Sequence, residues 1–392
     1  MQLAHRMTLI PPYLTAEISR LKREAIAEGR KLIDLGIGDP DQPTPQPIVD
    51  ALCEWGRNPV THRYDETPSG WTPFMETAIR WMERRFGVTF DPIKEAYILL
   101  GSKDGLSHFI WTLIDQGDLC LVPDPAYPVY KVNVLLAGGT PHIMPLLGRN
   151  GFLPDLTEIP SDAARRAKLM ILCYPNNPTT ATASLSFFQD VVRFAKEYDI
   201  AVCHDCAYSE VVYDGYVAPS FMQAEGARDI GVEMHSLSKM FNMTGWRIGF
   251  AVGNEKLIGG LNTLKSYMDS RHFPAVDMAA AHALEHVDNS ATFALYRRRR
   301  DILVDGLNAL GWRIERPKAT LYVWAAVPSG YTSIEFAKKL LQEADVLVVP
   351  GIGYGQYGDG YVRMSITVEG DREGELLAEA VERIKRNVSI KW

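Results

Sequence analysis

Between Phe86 and Gly253, short apolar segments bounded by turn residues alternate with longer segments of helical periodicity. This alternation is typical of a mostly parallel β-sheet covered by helices, because parallel neighbours need a crossover connection between them. The candidate strands are AYILL (96–100), LCLVP (119–123), LMILCY (169–174), IAVCH (200–204), VEMHS (232–236) and RIGFAV (247–252). Apolar residues from Ser184 to Tyr198 recur at helical spacing, which predicts a crossover helix. The sequence therefore indicates an α/β fold.

The pattern changes after about residue 285. A charged helix is followed there by the strand LYVWAAV, a second helix, the strands VLVVP and YVRMSI, and a terminal helix. An amphipathic helix, roughly Leu14 to Glu28, and the shaped segment IDLGIGDPDQPTPQP precede the α/β region. A chain of 392 residues exceeds the usual size of one core. We therefore predict a large domain over 46–285 and a smaller α+β domain made of 1–45 and 286–392.

Composition and charge restrict the class of protein. The chain is 46% hydrophobic, carries a formal charge of -7 and has a pI near 5.8, so it lacks the net basic character of nucleic-acid binders. No segment approaches the roughly 18 apolar residues of a membrane span, and the N-terminus does not resemble a signal peptide. One basic run, Arg297 to Arg300, is interpreted as a solvated or interlobe helix face. We expect a soluble protein with neither nucleic-acid nor membrane partners.

The cysteines indicate a reducing environment. Their number is odd for a disulfide framework, and they are Cys53, Cys120, Cys173, Cys203 and Cys206. Cys203 and Cys206 form a C-x-x-C pair, but no second pair at zinc spacing accompanies them. We therefore expect free thiols, no metal site and a cytoplasmic location.

The loop HSLSKMFNMTGWRIGF follows a candidate strand and contains the most informative lysine. A lysine that forms a Schiff base with a phosphorylated cofactor needs a rigid strand end, with hydroxyls and a cation nearby for the phosphate. Ser236 and Ser238 supply the hydroxyls, and the Arg247 guanidinium can bind two phosphate oxygens. A lysine in a loop is usually a surface residue, but these neighbours favour a pyridoxal-phosphate lysine at Lys239.

Two further residues follow the strand IAVCH. Asp205 stands at its carboxyl end, where an α/β sheet places ligand contacts, and Tyr208 follows three positions later. An acid there would keep the pyridine nitrogen of the cofactor protonated, and the tyrosine would donate to the ring oxygen. The alternative from these residues alone is an aspartate that caps a turn and a tyrosine that packs.

Other strand ends carry matching polar groups. The turn after LMILCY would aim the amide of Asn177 into the same crevice, and Gly101 to Gly105 opens a helix whose N-terminus suits a phosphate. This short loop is neither a Walker loop nor a G-x-G-x-x-G motif, which disfavours a nucleotide site. Tyr127 follows another strand end, where its ring would stack on a planar cofactor.

Together these segments resemble a known family. PNNP, HDCAYSE, SLSK and TGWRIGF are similar to the motifs of fold-type I pyridoxal-phosphate aminotransferases of class I/II, over nearly the whole chain. More narrowly, GIGDPDQPTP, GSKDGL, PDPAYPVY, YPNNPT, SLSKMFNMTGWRIGFAVGN and GDGYVRMSIT resemble the LL-diaminopimelate aminotransferases of lysine biosynthesis. The resemblance implies a large domain with a mostly parallel seven-stranded sheet, a smaller α+β domain and pyridoxal 5′-phosphate as cofactor.

The resemblance also implies a role for each matching position. Lys239 would bind the cofactor as a Schiff base and then act as the base that moves the substrate proton. Asp205 would pair with the pyridine nitrogen, Asn177 and Tyr208 with the ring oxygen, and Tyr127 would stack on the ring. The residues implied to hold the phosphate are Ser102, Lys103, Ser236, Ser238 and Arg247.

Substrate and partner contacts are implied in the same way. Tyr64 matches a tyrosine that reaches the phosphate of the neighbouring subunit, which implies a homodimer, and Arg363 matches the arginine that binds the substrate α-carboxylate. The implied substrate-binding residues are Gly38, Tyr127, Asn177, Arg363 and Arg271.

Two segments depart from the family pattern. Thr180 stands where glycine is common, and SRHFPAVD (270–277) differs from the usual sequence where the partner subunit touches the substrate side chain. Arg271 in this segment is interpreted either as a surface arginine or as a contact for a distal carboxylate of the substrate.

Three functions remain open from the sequence. The first is an aminotransferase that uses 2-oxoglutarate by a ping-pong route, with LL-diaminopimelate, aspartate or another amino acid as donor. The second is a related C–S β-lyase. The third is a non-catalytic cofactor-binding regulator, since one fold hosts many functions.

Overall fold

The structure, a computed structural model, describes residues 1–10, 16–64, 72–269 and 271–390. Its α-helices are Ala16–Ala27 (α1), Gln46–Gly56 (α2), Thr72–Phe86 (α3), Ser102–Leu113 (α4), Val129–Leu136 (α5), Ser161–Arg166 (α6), Leu185–Tyr198 (α7), Ala227–Ile230 (α8), Leu237–Met240 (α9), Glu255–Ser266 (α10), Pro274–His286 (α11), Ser290–Ala309 (α12), Ser333–Ala344 (α13) and Glu375–Asn387 (α14). Its strands are Ile33–Asp34 (β1), Ala96–Leu99 (β2), Leu119–Asp124 (β3), Thr140–Pro145 (β4), Ala167–Cys173 (β5), Ala201–Asp205 (β6), Gly231–Ser236 (β7), Gly249–Gly253 (β8), Tyr322–Ala326 (β9), Val346–Leu347 (β10), Val349–Pro350 (β11) and Tyr361–Ser365 (β12). Within these ranges no helix is long and apolar enough to cross a membrane.

The large sheet has seven strands in the order β2-β8-β7-β6-β5-β3-β4. Neighbours from β7 to β4 run parallel, whereas β8 is antiparallel to both β2 and β7. The predicted α/β class and mostly parallel seven-stranded sheet are confirmed. The carboxyl ends of β5, β6 and β7 therefore meet at one edge, where open α/β sheets place their ligands.

The six strands predicted from sequence are all present in this sheet, with ends shifted by one or two residues. The strand that the sequence did not predict is β4, TPHIMP, which contains two prolines and no continuous apolar run. Among the described strands it pairs only with β3, at the end of the strand order. An edge strand tolerates proline because one side of its ladder needs no N–H donor, so its sequence signal is weak.

The predicted crossover helix is confirmed as α7, which connects β5 to β6. The Ser184 hydroxyl accepts a hydrogen bond from a backbone N–H of the first turn and so caps the helix. Of the predicted apolar stripe, Phe188, Val191, Val192 and Ala195 are buried, whereas Leu185 in the first turn is exposed.

Outside the large sheet, the strands form two small sheets. A three-stranded antiparallel sheet has the order β11-β12-β9, and β1 pairs in parallel with β10. The segment VLVVP, predicted as one strand, is thus two short strands in different sheets. The first helix of the chain, α1, begins at Ala16 in the structure, and the predicted start at Leu14 lies outside the described residues.

Apolar clusters cover both faces of the large sheet. Consecutive residues of β2 show the alternation, since Ile98 belongs to one cluster and its neighbours Tyr97 and Leu99 belong to the other. A further cluster joins residues of the N-terminal segment, such as Leu35, to residues of α12, α13 and α14. The carboxyl ends of β5, β6 and β7 face residues of the N-terminal segment across a cavity.

The basic run on α12 is interpreted from sequence as a solvated or interlobe helix face, and the solvated alternative is wrong for half of it. Arg297 and Arg298 are exposed, but Arg299 and Arg300 are almost completely buried. Each buried guanidinium has carboxylate partners, Asp41 for Arg299 and Asp214 for Arg300. A buried arginine is retained only when it is paired, and sequence alone did not show these distant partners.

Candidate active site

One cavity of about 730 Å³ opens where the carboxyl ends of β5, β6 and β7 face β12 and residues 36–42, which we call the N-terminal loop. Its lining contains most of the residues predicted from sequence: Gly38, Ser102, Lys103, Tyr127, Asn177, Asp205, Tyr208, Ser236, Ser238, Lys239, Arg247 and Arg363. Tyr64 and Arg271 do not line it. The strand ends thus bring together side chains that are widely separated in sequence.

Lys239 lies on α9, the short helix that follows β7 directly. Ser236 ends the strand, and its hydroxyl accepts a hydrogen bond from Ser238 N (3.2 Å), which caps the helix. The Lys239 side chain is 14% exposed, and its ammonium donates to Gly38 O (3.1 Å) and Asp39 Oδ1 (2.9 Å). The lysine is therefore presented from a strand end, and its hydrogen-bond acceptors belong to the N-terminal loop.

Asp205 ends β6 and presents a free oxygen. Its Oδ2 accepts a hydrogen bond from Tyr130 (2.7 Å), whereas Oδ1 is buried and has no partner among the residues described. Burial raises the pKa of this carboxyl, and the Tyr130 hydroxyl and the nearby His204 act in the opposite direction. An unpaired buried oxygen is costly unless a ligand binds it. Asp205 Oδ1 is therefore suited to a protonated ring nitrogen.

Tyr130 is a site residue that the sequence analysis missed. It lies on α5, three positions after Tyr127, and it is completely buried. Burial and the neighbouring Asp205 raise the pKa of its phenol, so the hydroxyl stays protonated and donates. The available signal was the second tyrosine of PDPAYPVY, only three positions after the predicted Tyr127.

Arg363 lies on β12 and connects the N-terminal loop to the large sheet. Its NH1 donates to Asn177 Oδ1 (3.1 Å) and its NH2 to Gly36 O (2.9 Å). The guanidinium carbon lies 4.1 Å from the centre of the Tyr322 ring. The buried Nε has no partner among the described residues, so this arginine retains donor capacity for an anion.

Tyr208 and Tyr322 form a pair of phenols beside this arginine. Their hydroxyl oxygens are 2.8 Å apart, and Tyr322 also donates to Gly38 O (3.0 Å). Tyr322 was not predicted, because a tyrosine in an apolar strand such as LYVWAAV gives no signal of a site. The Asn177 amide oxygen is used by Arg363, which leaves its NH₂ group available to a ligand oxygen.

A cradle of backbone and cationic groups lies at the start of α4. Gly101 has a positive φ of 80°, and a Cβ built there would lie 2.6 Å from Arg247 NH2. Ser102 begins the helix, and Arg247 donates from NH1 to Thr244 O (2.7 Å) and from NH2 to Leu100 O (3.3 Å). A helix N-terminus and a guanidinium side by side form a suitable site for a phosphate.

Tyr127 lines the same cavity, and its ring meets the Tyr130 ring edge-on, with centroids 5.8 Å apart. Its stacking on a planar ligand stays a prediction.

The two residues outside the cavity differ in exposure. Tyr64 is 83% exposed, at the end of a described range. Arg271 is half-buried, and its guanidinium lies 5.4 Å from the centre of the Tyr97 ring in the same chain. A freely solvated surface arginine is therefore not what the structure shows, and the contact with a distal carboxylate stays a prediction.

Comparison with known proteins identifies the class. The family model of aminotransferase class I and II matches residues 30–384, and the chain belongs to this family. It is an aminotransferase with the fold-type I architecture, and the family uses pyridoxal phosphate. Among named relatives, the LL-diaminopimelate aminotransferase of Moorella thermoacetica is 51% identical over 388 residues, covering 98% of both chains. The LL-diaminopimelate aminotransferase of Syntrophobacter fumaroxidans is 50% identical, again covering 98% of both.

Solved structures agree with this assignment. A probable N-succinyldiaminopimelate aminotransferase from Thermus thermophilus superposes with a TM-score of 0.88 at 35% identity, covering 94% of this chain and 98% of that one. The predicted class, enzyme type and narrower resemblance are confirmed.

Proposed function

We propose that this aminotransferase binds pyridoxal 5′-phosphate at Lys239 and moves the amino group of LL-diaminopimelate to 2-oxoglutarate, a step of lysine biosynthesis, by a ping-pong route. The observation that carries the cofactor assignment is one cavity lined by Lys239, the unpaired Oδ1 of Asp205 and the Arg247 guanidinium. The substrate assignment is supported by full-length relatives of that name at 51% and 50% identity.

The cavity fits the cofactor at both of its ends. Arg247 and the first backbone N–H groups of α4 would bind the phosphate, with Ser102, Lys103, Ser236 and Ser238 around it. Asp205 Oδ1 would accept a hydrogen bond from the protonated ring nitrogen and keep it protonated, and the Asn177 amide and Tyr208 hydroxyl would bind the ring oxygen. When bound, pyridoxal phosphate withdraws electrons from the substrate Cα and makes its proton removable.

Lys239 has two tasks in this proposal. Its amine would hold the cofactor covalently and, once released, would act as the base that moves the proton of the substrate Cα. For both tasks its Nζ has to leave Gly38 O and Asp39 Oδ1. The ion pair with Asp39 is thus a resting contact that the reaction replaces.

Arg363 would bind the substrate α-carboxylate. Its guanidinium is planar and buried, and it retains an unpaired Nε. The contacts with Asn177 and Gly36 fix the orientation of the guanidinium before the substrate arrives. A fixed orientation lowers the entropy cost of placing the Cα–H bond next to Lys239.

The assembly and the compartment are also part of the proposal. The proposed homodimer would use the exposed Tyr64 side chain on the partner's phosphate. The proposed domains are 46–285, and 1–45 with 286–392. The five cysteines are free, which supports a reducing compartment, the cytoplasm.

An amino-donor panel tests the function. The holoenzyme is incubated with 2-oxoglutarate and LL-diaminopimelate, its meso isomer, aspartate, alanine or an aromatic amino acid, and glutamate formation is measured. LL-diaminopimelate should give the highest kcat/KM, by at least about tenfold. Aspartate as the best donor would overturn the substrate assignment but leave the aminotransferase intact.

A second measurement distinguishes an aminotransferase from a C–S β-lyase. Pyruvate release from cystathionine without 2-oxoglutarate, and no glutamate formation with any donor, would replace the proposed function by β-elimination. Sodium borohydride reduction followed by peptide mass spectrometry should place a phosphopyridoxyl group on Lys239.

A further inference from the structure

The N-terminal loop is held at one end by residues that line the cavity. Tyr322 donates to Gly38 O (3.0 Å), Lys239 donates to Gly38 O and Asp39 Oδ1, and Arg363 donates to Gly36 O (2.9 Å). Under the proposed function, Lys239 and Arg363 also bind the cofactor and the substrate. The contacts of Lys239 with the loop therefore change during the reaction, whereas Arg363 has its unpaired Nε for the substrate.

A contact at the other end of the loop is independent of the cavity. Arg299 on α12 does not line the cavity, its side chain is 0% exposed, and it lies 258 positions from its partner Asp41. Its NH1 donates to both carboxylate oxygens of Asp41, at 2.9 and 2.8 Å. Its NH2 donates to the carbonyl oxygen of Asp371. The Asp41 side chain is itself only 9% exposed.

Such a contact is strong and directional. A charge-assisted hydrogen bond to both oxygens fixes the carboxylate in position, and burial protects it from screening by salt. Because Asp41 is two residues from Asp39 and three from Gly38, the position of Asp41 limits where the rest of the loop can lie.

We propose that Arg299 is a positioning residue, and that it holds the N-terminal loop at the substrate site through Asp41 while Lys239 exchanges partners. The inference deepens the proposed function and rests on it, since the loop contributes Gly38 to the substrate site. Arg299 itself touches neither the substrate nor the cofactor.

Arg299→Lys keeps the positive charge. Lysine has one nitrogen in place of the three of the guanidinium, so the variant loses the separate NH1 and NH2 donors that bind Asp41 and Asp371 O. The matched control is Arg300→Lys, because Arg300 is the next residue of α12, equally buried, and binds Asp214 (2.7 Å) and Pro317 O (2.8 Å) away from the loop. Arg299→Lys should raise the KM for the amino donor about tenfold or more, with kcat changed less than about threefold. Arg300→Lys should leave both constants within about twofold.

Hydrogen–deuterium exchange gives a readout without catalysis. In the cofactor-free protein, Arg299→Lys should speed exchange of the peptide over residues 36–42 about tenfold, and Arg300→Lys should not. Asp41→Asn should reproduce both effects, and it replaces Arg299→Lys if that variant does not fold. The double variant should add little to either single one.

Any of three results would overturn the inference. The first is the same KM for the amino donor in Arg299→Lys and Arg300→Lys. The others are an unchanged hydrogen–deuterium exchange rate of the loop in Arg299→Lys or Asp41→Asn, and additive effects on KM in the double variant. If no amino acid serves as donor, the proposed function fails, but the exchange experiment still decides whether Arg299 holds the loop.

Discussion

Two sides of the cavity differ in how the chain builds them. The cofactor side consists of the ends of β6 and β7 with the starts of α4 and α9, two helices that follow strands β2 and β7 of the large sheet. The substrate side consists of the N-terminal loop, Tyr322 and Arg363, and one of its hydrogen bonds joins residues 327 positions apart. The cofactor side leaves Asp205 Oδ1 unpaired, whereas loop atoms on the substrate side are paired with cavity residues. Asp205 is thus preset for a ligand, whereas Lys239 must leave the loop atoms Gly38 O and Asp39 Oδ1 to bind one.

The largest effect is expected where the two sides meet, at Lys239. Lys239→Ala removes the covalent attachment, the proton carrier and both contacts with the N-terminal loop. Turnover should fall by several orders of magnitude in single-turnover and steady-state assays, roughly 4 kcal/mol of barrier or more. The variant should still fold and bind the cofactor noncovalently, as judged by circular dichroism and equilibrium dialysis. A borohydride-stable label on a different lysine of the wild-type protein would refute the assignment.

A smaller loss is expected on the cofactor side alone. Asp205→Ala removes the oxygen that would hold the ring proton, so activity should fall by about two orders of magnitude and cofactor affinity should weaken. The KM for the donor should change little, because Asp205 does not contact the N-terminal loop. Retention of more than about a tenth of wild-type turnover, only ~1.4 kcal/mol of barrier, would show that another acid holds the ring nitrogen.

Arg271 tests whether the substrate side extends across a subunit interface. Losing one charge-assisted contact typically costs ~1.5–3 kcal/mol, so Arg271→Ala should lower kcat/KM for acidic-ended donors roughly ten- to a hundredfold. The value for alanine should barely change, because alanine has no distal carboxylate. Equal losses with both donor classes would instead implicate the packing of Arg271 on Tyr97. No loss with either would remove it from the substrate side.

The smallest effect is expected from Tyr130→Phe, which removes one hydroxyl. Activity should fall about tenfold, since a hydrogen bond to a charged group is worth ~1.5–3 kcal/mol. The Tyr130 hydroxyl lowers the pKa of Asp205, so its removal raises that pKa further. Because the ionised carboxylate is the active form, the acidic limb of the kcat/KM profile should move to higher pH.

A matched control for this variant is Tyr213→Phe, which removes a buried hydroxyl that donates to Thr320 O (2.8 Å) and does not line the cavity. It should lower the unfolding temperature without moving the pH profile. An unchanged acidic limb in Tyr130→Phe would mean that Tyr130 only packs.

The same comparison explains what sequence could predict. On the cofactor side, most of the predicted residues lie at or within a few positions of an apolar strand, as Asp205 lies directly after IAVCH and Lys239 three positions after VEMHS. Parallel strands bring their ends together, so local patterns were enough to predict the sheet and the residues at its edge. The edge strand β4 was missed because its prolines hide the pattern.

Long-range pairing was not predictable from local patterns. In the sequence, Arg299 and Arg300 resemble any basic run on a helix. Only the fold shows that they are buried and that each is paired with a carboxylate distant in sequence. Tyr130 and Tyr322 act through single hydroxyls placed by packing, and packing leaves no motif in one sequence. Arg363 was found through the family resemblance, since its strand alone does not single it out.

The pairing of β1 with β10 also bears on the order in which the chain folds during its synthesis. Arg30 and Asp345, 315 positions apart, form an ion pair beside this two-stranded sheet, so it closes only when nearly the whole chain is available. A chain emerging from the ribosome can complete the large sheet well before that point. Lys239 and its strand β7 can therefore be in place before the N-terminal loop acquires its contacts with Tyr322 and Arg363.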